Sequence, residues 1–255
     1  MNLSKKYKKD GYVEIDLIDK DQCDVINQKI EKHINSGSYK ENTKIYKYNE
    51  GTHRVVEAWK YISEITEIAH SNKIKNLLFD FYKKRPLPFS SINFTHGSNQ
   101  PLHSDYVHFG SIPEGYLCGV WIALEDIQPG CGELQIGLET NNWPIFRFSE
   151  HGLTKPKSLK DLKRNYNFYE DWVKKKIKQE KVKIKKCILK KGQALIWDYN
   201  LLHGGSKISN PSFTRKSMVI HYHFDKTIAY NPNFSFFGND IYQKRSFNII
   251  GENNE

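Results

Sequence analysis

Phe89-Ser90-Ser91-Ile92-Asn93-Phe94-Thr95-His96-Gly97-Ser98-Asn99-Gln100-Pro101-Leu102-His103-Ser104-Asp105 is the stretch in which the sequence changes period. Before it, apolar residues recur at helical spacing. Val25, Ile26, Ile30 and Ile34 predict a helix over 19–35. Ile65, Ile68, Ala69, Ile74, Leu77, Leu78 and Phe81 predict a longer one over 62–84, stopped by Pro86 and Pro88. From Phe89 onward the apolar segments are short and rich in β-branched and aromatic residues. They fall at 89–94, 117–124, 133–138, 187–189, 193–197 and 217–224, with Gly, Pro, Asn and Asp between them. A charged helix over 160–181 interrupts the series. Helices first, then strands with one helical insertion, predict a mainly β fold, a sandwich or barrel backed by helices.

At 255 residues and 29.9 kDa, a single domain spanning 1–255 is the expectation. Its parts are a helical N-terminal portion (about 1–85), a β core (about 86–225) holding the helical insertion (about 158–181), and a C-terminal tail (about 226–255). The chain is 38% hydrophobic and 13% aromatic, enough for a packed core. A mean hydropathy of −0.68 and the lack of a long apolar run predict no membrane span, and the Lys-rich start has no apolar centre for a secretory signal. Cys23, Cys118, Cys131 and Cys187 are scattered without a C-x-x-C pair. They read as reduced thiols of a cytoplasmic protein rather than a zinc or disulfide framework. The net charge of +10 comes mostly from lysine, and no helix-turn-helix, RNP or zinc-finger pattern accompanies it, so a nucleic-acid partner is not expected. The charge run over 174–191 reads as a solvated face.

His103-Ser104-Asp105 closes the opening stretch. In extended chain, residues i and i+2 point to the same side, so an imidazole and a carboxylate converge as a metal ion requires. With 10 histidines in the chain the motif alone is weak. His203 follows an apolar strand and precedes Gly204-Gly205, which let backbone approach a ligand; taken singly it reads as a turn histidine. Arg215, twelve residues later, reads singly as a surface ion-pair residue. Together they are more specific. Two histidines and one carboxylate form the facial triad of non-haem Fe(II) oxygenases, and a downstream Arg can grip the carboxylate of 2-oxoglutarate in bidentate fashion. His221 and His223 form an H-x-H that reads, beside a complete triad, as core or as support behind the metal ligands.

With these residues in view, the sequence resembles the phytanoyl-CoA dioxygenase family of Fe(II)/2-oxoglutarate-dependent oxygenases. The resemblance runs from Asp10-Gly11-Tyr12-Val13 through the segments 97–105 and 119–126 to His203-Gly204-Gly205-Ser206, Arg215-Lys216-Ser217 and His221-Tyr222. It implies a double-stranded β-helix core (jelly roll, cupin-like) packed by the N-terminal helices and the helical insertion. It also implies that His103, Asp105 and His203 bind Fe(II) and form the catalytic centre, and that Arg215 holds the distal carboxylate of 2-oxoglutarate. Trp121 matches an aromatic beside the cosubstrate. Arg54 falls where relatives carry a basic residue near the cosubstrate or substrate and is expected to bind the cosubstrate, with Ser90 and Asn93 as cosubstrate neighbours. Tyr106, His108 and Phe109, with Trp143, are candidate walls for the substrate.

The implied chemistry is O2-dependent hydroxylation, or another oxidation, of a C–H bond in a small polar or anionic metabolite, releasing succinate and CO2. Asp105 fills the position that is a small residue in halogenating relatives. The alternative is a catalytically silent jelly-roll binding or regulatory protein. A monomer or homodimer is expected, with no membrane partner. One departure from the family is the loss of a His-bearing turn, whose place is taken by Ile136-Gly137-Leu138-Glu139-Thr140-Asn141-Asn142-Trp143-Pro144.

Overall fold

The computed structural model of the chain describes residues 2–37, 44–47, 53–235 and 243–252. In chain order the first elements are α1 (Leu3–Asp10), β1 (Tyr12–Asp16), α2 (Lys20–Ser36), β2 (Lys44–Lys47) and β3 (His53–Val56). Then come α3 (Ser63–Ala69), α4 (Asn72–Tyr82), β4 (Pro86–Phe94), β5 (Gly110–Ile112), β6 (Leu117–Ala123) and β7 (Leu134–Gly137). The remainder is α5 (Leu159–Gln179), β8 (Ile184–Lys186), β9 (Gln193–Asp198), β10 (His203–Gly205), β11 (Ser217–Phe224) and β12 (Ile228–Tyr230).

Seven antiparallel strands make the major sheet, in the order β1-β9-β6-β11-β4-β3-β2. A three-stranded sheet β10-β7-β8 and a two-stranded sheet β12-β5 complete the set. Leu134 and Ile136 of β7 share a buried cluster with Trp121, Leu195, Trp197 and Val219 of the major sheet, so the two sheets face each other as a jelly roll. Strand alternation splits the major sheet into two faces. Val120 and Ile122 of β6, Ala194 and Ile196 of β9, and Met218, Ile220 and Tyr222 of β11 pack under α2, α3 and α4, against residues such as Ile26, Ile65 and Leu78. Their neighbours Trp121, Leu195, Trp197 and Val219 point inward. With both faces covered, β6 and β11 are buried along their whole length, so apolar residues occupy both faces, broken in β11 by Ser217, His221 and His223.

Local chemistry sets the helix ends. Asp19 caps α2 in a reciprocal capping box with Gln22. The single helix expected over 62–84 is two. His70 ends α3, and Ser71, in extended geometry, accepts the Ile74 N–H to start α4. A serine hydroxyl offers the backbone an alternative to the helical ladder, and here it resets the chain direction.

Other boundaries move for related reasons. The strand expected at 187–189 lies at Ile184–Lys186. There a lysine-rich edge strand pairs with β7 while Cys187 and Leu189 turn into the core. The N-terminal part is not purely helical, since β1 forms one edge of the major sheet and β3 and β2 the other. The tail beyond residue 226 is also structural. β12 pairs with β5, Arg245 N donates to Ala229 O, and Ile250 is fully buried among the helices.

Candidate metal centre

The H-x-D segment and the second histidine meet through their backbones. His103 N donates to His203 O and His203 N to His103 O, both at 2.9 Å. Gly205 N adds a bond to Gln100 O at 3.0 Å. The glycines after His203 are what allow this approach. A Cβ on Gly204 would lie 2.6 Å from Gln100 O, and one on Gly205 2.6 Å from Ser98 Oγ. Their small size thus admits the His103 segment, and Gly204 also lines the cavity beside the triad.

The result is a buried group of His103, Asp105 and His203, whose ligand atoms all lie within 4.8 Å of one another. Both imidazoles are held in one tautomer. His103 Nδ1 is 2.8 Å from Pro101 O and His203 Nδ1 3.0 Å from Leu201 O, so each Nδ1–H donates to a carbonyl and each Nε2 keeps its lone pair for a metal. Burial pushes His103 down to about 3, which leaves it neutral and ready to ligate at physiological pH. Asp105 Oδ1 lies 3.4 Å from His203 Nε2. Its Oδ2 accepts Trp197 Nε1–H at 2.7 Å and lies 3.4 Å from His221 Nε2. The nearby imidazoles hold the Asp105 carboxyl well below the usual range against the opposing effect of burial, so it is ionised. Two imidazoles whose Nδ1 atoms are tied to carbonyls, and one carboxylate held by the Trp197 indole, fit a ferrous ion by donor type.

The triad opens into a cavity of about 230 Å³. Arg215 lies in its wall, 2% exposed, with its guanidinium over Phe94 and Trp121. Nη1 donates to Gly132 O at 3.0 Å, while Nε has no acceptor among the described residues. Burial lowers Arg215 to about 10, still a cation at neutral pH. A buried cation without a counter-charge is costly, so this wall is built for an anion.

The remaining expected residues divide. Trp121, Arg54, His108 and Phe109 line the cavity. Arg54 Nη2 holds Gln100 Oε1 at 3.0 Å, and Gln100 Nε2 approaches His103 Nε2 at 3.1 Å. Burial pushes His108 down to about 4, so its ring is neutral, and Tyr166 Oη lies 3.4 Å from its Nε2. Asn93 does not face the cavity. It opposes Met218 in register and shares that residue's helix-side face, whereas Ile92 and Phe94 point inward. Ser90 sits opposite His221 beside a bulge in β4 and does not line the cavity either. Tyr106 turns away, its hydroxyl bonded to Tyr230 and to Glu114. Trp143 packs against α5 at Trp172. The altered 136–144 turn braces the chain before His203: Thr140 Oγ1 accepts Leu202 N–H, and Asn200 Nδ2 donates to Trp143 O.

Sequence reading missed Trp197 and Tyr169 as partners of the triad, while His221 stands beside Asp105 as a supporting residue. Trp197 left a trace in Gly119, its partner in register, where a Cβ would come 2.4 Å from the indole. Tyr169 of α5 accepts the Ser104 N–H at 2.8 Å, locking the residue between the two ligands.

The sequence model of the family described as phytanoyl-CoA dioxygenase matches residues 7–217. The chain belongs to the phytanoyl-CoA dioxygenase family. The match to this family takes in the whole triad and Arg215. The fold is also that of solved structures at low identity. The epimerase SnoN of nogalamycin biosynthesis, in complex with Fe3+, alpha-ketoglutarate and nogalamycin RO, has TM-score 0.68 and 14% identity, over 98% of this chain and 94% of that one. EctD from S. alaskensis with 2-oxoglutarate and 5-hydroxyectoine has TM-score 0.66 and 14% identity, over 96% and 83%. The carbocyclase SnoK of nogalamycin biosynthesis has TM-score 0.66 and 14% identity, over 88% and 84%. No curated protein matches the chain. Among the described residues no helix is long and apolar enough to cross a membrane.

Proposed function

We propose that this member of the phytanoyl-CoA dioxygenase family is an Fe(II)/2-oxoglutarate-dependent dioxygenase that hydroxylates, or otherwise oxidises, a C–H bond of a small polar or anionic metabolite or biosynthetic intermediate. The observation that carries this reading is the pairing, within one cavity, of the His103–Asp105–His203 group with the buried cation of Arg215. Ferrous iron held by the three residues, with 2-oxoglutarate and O2, supplies the oxidising equivalent and releases succinate and CO2. The chain's own residues hold and orient. Arg215 grips the distal carboxylate of the cosubstrate, with Trp121 and Phe94 excluding water around that contact. Trp197 and His221 keep Asp105 aimed and ionised. His108 and Phe109 line the same cavity and are assigned to the substrate, while Arg54, stacked on Phe94 like Arg215, is assigned to the cosubstrate.

The structural neighbours include an epimerase and a carbocyclase, so the fate of a substrate after C–H cleavage depends on how it is held. Hydroxylation is favoured over halogenation because Asp105 occupies the third ligand position. Four free, buried cysteines suit a reducing, cytoplasmic setting.

The test is succinate release from 2-oxoglutarate on adding Fe(II) and ascorbate. Asp105→Ala abolishes it. Arg215→Leu raises the KM for 2-oxoglutarate about 100-fold, as expected when a buried ionic grip is lost. Full iron-dependent turnover by Asp105→Ala would overturn the assignment. Metal binding by the native chain without succinate release would make it a binding protein instead.

A further inference from the structure

The cavity wall has more positive charge than the cosubstrate can use. The ionised side chains that line it are Arg54, Arg215 and Asp105. Asp105 is committed to the metal, and Arg215 to the cosubstrate. Arg54 stacks on the same Phe94 ring as Arg215, at 5.0 Å against 5.2 Å, and so stands beside the cosubstrate arginine. A third guanidinium comes from the far end of the sequence and lies on a different aromatic ring. Arg245 lies with its guanidinium carbon 4.7 Å from the centroid of the Phe109 ring, and its Nη1 donates to His108 O at 3.3 Å. Phe109 and His108 both line the cavity, while Arg245 is exposed and lies outside that lining, separated from it by the Phe109 side chain.

This placement is built, not incidental. The strap that carries Arg245 is tied on both sides. Asn231 N donates to Gln243 O at 3.0 Å and Arg245 N to Ala229 O at 2.9 Å. Further on, Phe247 stacks on His223 at 5.0 Å, and Ile250 N donates to Pro88 O at 2.8 Å. Among the described residues no carboxylate pairs with Arg245. Glu57, whose charge acts on it from a distance, is already engaged by Trp59 Nε1 at 2.6 Å and Ser91 N at 3.3 Å. An aromatic ring beneath a guanidinium presents the fork edge-on to an incoming group, and such forks match carboxylate and phosphate oxygens.

We propose that Arg245, set over Phe109 beside His108, is a specificity residue that binds an oxyanion of the organic substrate, a carboxylate or a phosphate, at the mouth of the cavity. This rests on the dioxygenase reading of the same site. The apolar ring of Phe109 then packs the adjoining carbon skeleton, and the charge pair fixes which C–H faces the triad.

The test uses the full chain loaded with Mn(II) and saturated with 2-oxoglutarate, so that Arg215 is occupied. The probes are inorganic phosphate, followed by 31P relaxation, and 13C-labelled acetate, followed by 13C relaxation. A probe held at the rim is relaxed by the nearby manganese. The stronger effect tells phosphate from carboxylate. Relaxation that falls at least about 5-fold in Arg245→Gln and is only partly restored in Arg245→Lys supports the subsite, since the lysine keeps the charge but loses the fork. If Arg245→Gln fails to take up manganese, Arg245→Met, which keeps the stem over Phe109, replaces it. Equal relaxation in the variants, or none in the native protein with manganese and cosubstrate bound, overturns the subsite and leaves the dioxygenase reading standing. Failure of the native chain to bind manganese defeats both.

Discussion

Asp105 shows how one side chain is made into a ligand. Its Oδ1 faces His203, while Oδ2 is taken by the indole N–H of Trp197, which also stacks on the His203 ring at a centroid distance of 4.1 Å. Trp197 therefore orients two of the three ligands at once. Trp197→Phe keeps the stacking surface and deletes the N–H. It is expected to weaken Mn(II) binding by roughly 10- to 100-fold, the usual effect of removing a group that orients a ligand, and calorimetric titration with Mn(II) measures it. Unchanged affinity would mean that the two histidine–carbonyl bonds suffice. At this scale the ligands themselves were legible in the sequence, because H-x-D and a later H-G-G are local patterns. Trp197 was not, because it reads like any core tryptophan on a strand. Asn93 failed for the matching reason. Counting along a strand gives alternation but not which face is the site, and the face was settled by β4 pairing with β11.

Among the elements, α5 does more than cover the β core. Tyr169, Val173, Phe146, Phe148 and Leu202 form a separate buried cluster, and from it the Tyr169 hydroxyl reaches the backbone between His103 and Asp105. Tyr169→Phe leaves the buried Ser104 N–H without its acceptor. The expected cost is about 1–3 kcal/mol in urea unfolding, with weaker Mn(II) binding alongside it. Equal stability of variant and native protein would show that α5 only packs. The periodicity of α5 was visible as sequence, as were α2 and the long strands, because each has its own apolar stripe. The split between α3 and α4 was missed because Ser71 interrupts the pattern without a Gly or Pro. The three-residue strands β5, β10 and β12 are too short to show any period at all.

Across the whole molecule, the helices and the site share one sheet, and a half-buried carboxyl group lies at their junction. Asp198 ends β9, accepts the N–H groups of Asn200 and Leu201, and so shapes the turn that leads to His203. Burial pushes its carboxyl up to about 7. An unfolded Asp ionises near ~3.9, so between that pH and 7 the folded chain holds a proton that the unfolded chain has released. Stability contributed by Asp198 is thus complete below about pH 4 and is lost as pH rises through about 7. Asp198→Asn keeps an acceptor for both N–H groups and removes the charge. Its Tm is expected to match the native protein at pH 4 and to exceed it by roughly 2–6 °C at pH 8, measured by thermal unfolding across that range. A constant difference at all pH values would place the ionisation elsewhere.

The order of residue types along the chain was enough to determine the reaction class and the broad fold. His103, Asp105, His203 and Arg215 stand in the spacing on which the family resemblance rests, and apolar period separates helix from strand. Tertiary structure alone decided what surrounds them. Trp197, Tyr169 and Arg245 reach the site from a central strand, an inserted helix and the C-terminal strap, each remote in sequence from the residue it serves. The reason is physical. A metal ligand must be a particular chemical group, so its identity shows in the sequence. A supporting contact needs only to arrive at the right place, and place is fixed by strand register, sheet pairing and the glycines that let backbones close on one another.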